Sequence, residues 1–299
     1  MQNTNKDPDI IKQHRLGLLY AIAAFGAWGF VPVYWKWISG ISSLSIMSHR
    51  VVWASIFLSS CILFLRQGPE LKNILVKRLH FLRLLLGSLL IGANWLIYIY
   101  AVQNNHVIES SLGYFLNPLL NIVFGFVLFK EHLNNLQKLA VSFAALGVSY
   151  LVISTGGLPW IALSLSFTFA FYGVLRKKMT ITGLQATLVE TYFLLIPALA
   201  YVFIEDRSWM QTSGLNIGLL VGGGVVTAMP LWWFTEAAKR LPLSTLGFCQ
   251  FIAPTLQFLN GLLLFHEDFN QEKLIAFSFI WAGAGIYLYS MYRSQSSRK

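Results

Sequence analysis

Ser111-Leu-Gly-Tyr-Phe-Leu-Asn-Pro118 returns 136 residues later as Gly247-Phe-Cys-Gln-Phe-Ile-Ala-Pro254, with no gap in the register. The same offset lays Gly125 on Gly261, Phe129 on Phe265, Glu131 on Glu267, Gly147 on Gly283 and Ala101 on Ala237. A period this long is not that of a solenoid, whose repeats run about 20 to 50 residues. Each copy is an apolar run of membrane-spanning length with a proline near its middle and a glutamate at its end. The stretch reads as a duplicated, broken membrane helix.

The chain around it has the matching composition. Of 299 residues, 56% are hydrophobic, 15% aromatic and only 11% charged, more apolar surface than one soluble core can hide. A spanning helix needs about 20 predominantly apolar residues. Ten segments qualify: 16–37, 45–65, 82–102, 108–129, 136–154, 158–175, 185–204, 215–235, 245–265 and 272–292. Strands of a membrane barrel would instead alternate polar and apolar residues over about ten positions, so helices are expected. The basic start followed by an apolar run resembles a secretory signal, but that run continues to Trp37 and reads as an uncleaved first helix. Cys61 and Cys249 lie inside apolar runs, so they indicate neither a disulfide framework nor a metal site.

Positive charge stays on the cytoplasmic side of a membrane protein. One alternate set of links, together with both termini, holds 18 of the 22 Lys and Arg residues; the other set holds Lys36, Arg207 and Lys273, and Arg50 lies within a span. The prediction is a multi-pass protein of a bacterial cytoplasmic (inner) membrane with both termini cytoplasmic. The net charge of +10 is then topology, and no basic soluble domain is left to bind nucleic acid. Ten helices divided by the repeat give a short segment 1–15, one five-helix unit over 16–154, a second over 155–292, and a tail over 293–299. An odd number per unit means that the second enters the membrane in the opposite direction. Inverted repeats are a recurring plan of secondary transporters, whose halves rock around a site near the bilayer midplane.

The candidate substrate site follows from depth. Pro118 lies about ten residues into its span, roughly 15 Å along the helix and close to the centre of a core about 30 Å thick; Pro254 is equally deep. Each proline leaves the carbonyl four residues back without its partner, here those of Tyr114 and Gln250. Amides gather at the same level: Asn117 and Asn121 beside Pro118, Gln250 and Gln257 beside Pro254, and Asn94 with Trp95 and Tyr98 in the third span. Polar side chains at this depth face the bundle interior, where they bond either a neighbouring helix or a substrate. His49, Arg50 and Glu190 are the ionisable residues most clearly embedded. Offsetting the first two spans by about 140 sets Arg50 opposite Glu190, but inversion separates them by roughly 15 Å in depth. Each is therefore expected at a different vestibule, Arg50 to meet an anionic group or helix-end carbonyls and Glu190, with His49, as a gate or proton-coupling candidate.

Other features are expected to be architectural. Glu131 with His132 and Glu267 with His266 close their spans as interface residues. Gly218, Gly222, Gly223, Gly224, Gly283 and Gly285 suit close helix contacts, within the bundle or in a weak homodimer. Trp35, Trp37, Trp232 and Trp233 suit an interfacial belt, while Trp28 and Trp95 are deep enough to flank a cavity. No Gly-x-x-x-x-Gly-Lys-Ser/Thr loop, His-Glu-x-x-His or Gly-x-Ser-x-Gly stretch is present, so the sequence offers no ATP-binding or enzyme motif.

His49-Arg50-Val51-Val52-Trp53, Asn94-Trp95 and above all Ser111-Leu-Gly-Tyr-Phe-Leu-Asn-Pro118-Leu119 resemble the RarD group of the EamA family, in the drug/metabolite transporter superfamily. The resemblance extends from Gly17 to Tyr292. It implies ten helices in two inverted repeats around a central cavity, in proteins whose relatives export amino acids and other metabolites and which often carry a chloramphenicol-sensitivity label. It supplies no cofactor and no list of binding residues. The function expected is a secondary transporter, an exporter by preference, of a small organic metabolite or drug with an apolar body and a polar or anionic head. The alternatives are an integral membrane enzyme acting on a lipid-linked substrate and a scaffold or sensor without flux.

Overall fold

A computed structural model describes residues 8–38, 40–65, 78–130, 132–177, 179, 181, 183–206, 213–241, 245–246 and 249–296. The described chain is helical: α1 (Pro8–Trp37), α2 (Ser43–Phe64), α3 (Arg78–Gln103), α4 (Val107–Phe129), α5 (Asn135–Thr155), α6 (Trp160–Lys177), α7 (Gly183–Ala200), α8 (Gly214–Arg240), α9 (Ile252–Leu259) and α10 (Gln271–Ser296). Wider π-helical turns extend α7 over Tyr201–Glu205 and α9 over Asn260–Leu264. Eight of these helices are long and apolar enough to cross a bilayer; α6 and the Ile252–Leu264 segment are apolar but shorter. Glu131, Gly247 and Phe248 lie outside the described residues.

Local chemistry sets several helix ends. Asn134 begins α5 with a reciprocal capping box, its side chain accepting from the Gln137 N–H while the Gln137 side chain accepts from its own. Gly156 ends that helix at φ 67°, a left-handed turn that glycine adopts without strain. Ser42 and Ser213 cap α2 and α8 through their hydroxyls. α4 is different. Its preceding residue His106 gives no side-chain cap, and the carboxylate of distant Glu267 accepts instead from the Val107 N–H at 2.7 Å and the Ile108 N–H at 2.8 Å. Glu267, expected as an interface residue, is thus the tertiary cap of a helix in the other half of the chain.

The two copies of the proline motif part company. α4 runs through Pro118 without interruption, correcting the expectation of a break there. α9 starts only at Ile252, after a turn at Gln250 and Phe251, so the ninth segment is not one helix from 245. Pro254 falls in the first turn of α9, where a missing N–H removes no intrahelical bond.

Helix pairing follows a two-fold pattern. α1 packs on α8 and α9, and α6 packs on α3 and α4; α2 meets α7 and α8, and α7 meets α2 and α3; α5 meets α10, and α4 meets α9. Moving each helix five places along the order leaves this set of pairs unchanged. At the α5–α10 crossing, a Cβ at Gly147 would stand 2.7 Å from the Ala276 carbonyl oxygen, and one at Gly283 2.7 Å from that of Ala140. Phe143 and Phe279 face each other between these contacts, ring centres 6.0 Å apart. All three pairs of equivalent positions, 140 with 276, 143 with 279 and 147 with 283, share the 136-residue offset. Because 147 meets 276 while 140 meets 283, the two helices run antiparallel, each presenting the same face.

The glycine-rich stretch of α8 also permits close approach, but not at every position expected. A Cβ at Gly224 would lie 2.5 Å from the Trp53 backbone, and one at Gly223 3.1 Å from the Trp35 ring. Gly218 and Gly285 have open space instead. Leu63, Phe64, Ile153 and Ile196 are among the large apolar side chains left exposed on the outside of the bundle, as befits a protein whose surroundings are lipid.

Candidate functional site

The site is built where α1, α2, α3 and α4 converge. Arg50 on α2 is 8% exposed. Its guanidinium carbon lies 4.3 Å from the centre of the Trp95 ring and 5.3 Å from that of Trp35. A cation between two indole faces gains from their quadrupoles, and more so when water is excluded. Tyr98, one turn beyond Trp95 on α3, packs edge-on against Tyr114 of α4 at 5.7 Å. Both phenols are close enough to Arg50 to feel its charge. Asn94 closes the group, its amide donating to the Leu165 carbonyl at 2.8 Å and to Thr168 Oγ1 at 2.9 Å, while the Tyr114 hydroxyl reaches Asn94 Oδ1 at 3.5 Å. Arg50, Asn94, Trp95, Tyr98 and Tyr114, all expected from the sequence, therefore form one cluster.

Trp35 was expected in an interfacial belt, and the structure corrects this: it is 1% exposed and forms one wall of the Arg50 site. Gly223 makes room for its ring. Its backbone is held in turn, because Gln103 Nε2 donates to the Trp35 carbonyl at 2.5 Å and to that of Ile38 at 3.3 Å. Reciprocally, Lys36 Nζ donates to Asn105 Oδ1 at 2.6 Å and to the Val102 carbonyl at 3.1 Å, capping the end of α3. A sequence signal for Trp35 exists in its distance from Trp28: seven residues are two helical turns, so the two indoles share a face. Trp37, by contrast, is 65% exposed.

The remaining candidates divide. Gln257 donates to the Trp28 carbonyl at 3.0 Å, the very carbonyl that Pro32 leaves without its helical partner. Asn260, which the sequence reading did not single out, donates to the next carbonyl, that of Gly29, at 2.8 Å. These amides staple α9 to α1. Asn117 is buried at 1% exposure, its Oδ1 lacking a hydrogen-bond partner among the described residues, whereas Asn121 is exposed and Gln250 half-buried in the turn before α9. Pro118 and Pro254 are both buried. His49 is adjacent to Arg50 in sequence but lines a separate apolar cavity of about 150 Å³ with Trp53, Val202 and Leu220 among others.

Glu190 forms a second polar centre among α3, α6 and α7. It is 1% exposed and accepts a hydrogen bond from the Tyr172 hydroxyl at 2.9 Å, while Oε1 has no hydrogen-bond partner among the described residues. A Cβ at Gly87 would stand 2.8 Å from that oxygen, so a bare backbone patch of α3 admits the carboxylate. Among the described residues no ion pair joins Arg50 to Glu190.

The EamA-like transporter family matches residues 15–153. RarD of Escherichia coli K12 is 42% identical over 282 residues, covering 93% of this chain and 95% of that one. The chain belongs to the EamA-like transporter family. Within the family it is similar to RarD proteins and also to the uncharacterized transporter YojE of Bacillus subtilis, 38% identical over 95% of this chain and 97% of that one. A crystal structure only 18% identical aligns over 90% of this chain and 96% of the other with a TM-score of 0.59, a likeness of fold. The protein is thus a multi-pass membrane transporter of the drug/metabolite type.

Proposed function

We propose that the chain is a secondary active transporter that exports a small organic metabolite or drug by alternating access, across a bacterial inner membrane with both termini cytoplasmic. The observation that carries this reading is the antiparallel, residue-matched crossing of α5 and α10 at Gly147 and Gly283. It supports ten helices as two inverted five-helix repeats, and such repeats place a site at their junction that can open to either face. Arg50 and its aromatic walls then belong to the outer vestibule and Glu190 to the inner one, where its buried carboxyl is placed to exchange a proton as cargo passes. The relatives bear transporter names, which argues against the membrane-enzyme alternative. Reconstituted proteoliposomes screened with labelled amino acids, metabolites and amphenicol drugs test the reading. Saturable flux is expected for at least one class, lowered tenfold or more by Arg50→Ala and less by Asn117→Ala, by rough analogy with the loss of a buried charge or a neutral hydrogen bond. No saturable flux across the panel, or flux indifferent to both substitutions, would refute it.

A further inference from the structure

The Arg50 site has an uneven inventory of hydrogen-bonding groups. Three buried donors there lack any acceptor among the described residues: Arg50 Nε, the Trp35 indole N–H and the Tyr98 hydroxyl. Their side chains are 8%, 1% and 4% exposed. An arginine stays charged even when buried, and a buried charge without a counter-charge is among the costliest arrangements a protein tolerates. Several other charged groups of the chain find partners: Glu236 accepts from both Lys239 and Arg240, Lys36 donates to helix-end carbonyls, and Glu267 accepts from two backbone N–H groups. Around Arg50 the partners are aromatic faces and phenols, and among the described residues no carboxylate lies within 4.0 Å.

We infer that the cargo of this transporter is an organic anion, a carboxylate on an apolar or aromatic body, whose head group is received by Arg50 with the Trp35 N–H and Tyr98 O–H. This rests on the transport reading above and narrows it. A planar carboxylate has two oxygens with lone pairs enough for three donors, and the indole faces of Trp95 and Trp35 offer an apolar body a stacking surface. A cationic head would be repelled by Arg50. A neutral amide would leave the arginine's charge uncompensated.

Binding to the intact, detergent-purified protein tests this without requiring flux. The probes are sodium benzoate, benzamide, benzylammonium chloride and sodium chloride at matched ionic strength, followed by tryptophan quenching and by the thermal unfolding midpoint. Benzoate is expected to bind roughly tenfold or more tightly than benzamide, with benzylammonium and sodium chloride giving no saturable signal. Arg50→Gln should bring benzoate to within about twofold of benzamide. Tyr98→Phe and Trp35→Phe, which keep the rings and remove one donor each, should weaken benzoate by about three- to tenfold and leave benzamide unchanged. These two variants decide the matter if Arg50→Gln does not fold. Equal binding of benzoate and benzamide, a sodium chloride signal that reproduces the benzoate one, or an unaltered benzoate preference in the folded variants would overturn the inference. The two readings fail separately. Benzoate bound at this site without flux of any compound in the panel would defeat transport alone, while flux of a neutral amphenicol, insensitive to Arg50→Gln in a protein that ignores benzoate, would defeat the anion site alone.

Discussion

The two halves of this molecule agree at one helix pair and diverge at another. α5 and α10 meet through equivalent residues, glycine against alanine backbone in both directions. α4 and α9 share a proline in the same register, yet α4 passes through it and α9 begins beside it. The difference lies in what holds each helix on the near side of its proline. α4 has its first N–H groups fixed by Glu267 and nearly every residue from Val107 to Leu119 buried, so surrounding contacts outweigh the one lost hydrogen bond. A repeated proline weakens two helices equally; the neighbours decide which one gives way.

The agreement should break symmetrically. Gly147→Leu and Gly283→Leu each drive a side chain into a facing carbonyl, and each is expected to cost about 3 kcal/mol, the upper range for overpacking, as a lowered unfolding midpoint in detergent. Nearly equal losses would sharpen the comparison, and a large inequality would show that the crossing is equivalent in sequence only. The divergence is probed by Glu267→Ala. Loss of a two-pronged cap should cost about 2 kcal/mol and raise hydrogen exchange at Val107 and Ile108, while exchange in α9 stays as it was.

A smaller effect separates α9 from α4 at the level of single amides. Gln257→Leu leaves the Trp28 carbonyl unpartnered and should cost about 1 kcal/mol. In a Pro32→Ala background the new N–H can reach that carbonyl, so the same substitution should cost distinctly less, a coupling that a double-mutant cycle of unfolding midpoints would read. Strict additivity would mean that Gln257 acts elsewhere. Smallest of all is Asn121→Ala: an exposed amide is expected to change stability by no more than about 0.5 kcal/mol, in contrast to buried Asn117 one turn before it.

Most of the polar site was legible because hydrocarbon leaves few places for polar groups. Arg50, Asn94, Trp95 and Tyr98 were identified by depth alone, and the structure gathers them. Trp35 is not legible in this way, because a tryptophan near a span end suits the lipid interface as well as a buried wall; the choice turns on the room left by Gly223, nearly 190 residues away. For Gln257 the sequence leaves helix contact and substrate contact both open, because the need it meets, a carbonyl orphaned by Pro32, sits on another helix.

By itself the sequence determined the membrane as solvent, the apolar segments, the duplication and the depth of each polar residue. Each of these depends on length, hydropathy or spacing along one stretch of chain. Only the tertiary structure decided which donors find acceptors: that Glu267 caps α4, that Gln257 and Asn260 serve α1, and that Arg50 is left, among the described residues, with aromatic faces and no counter-charge. Hydrogen bonds reach only about 3 Å, so their pairing is fixed by how helices far apart in the chain are brought together.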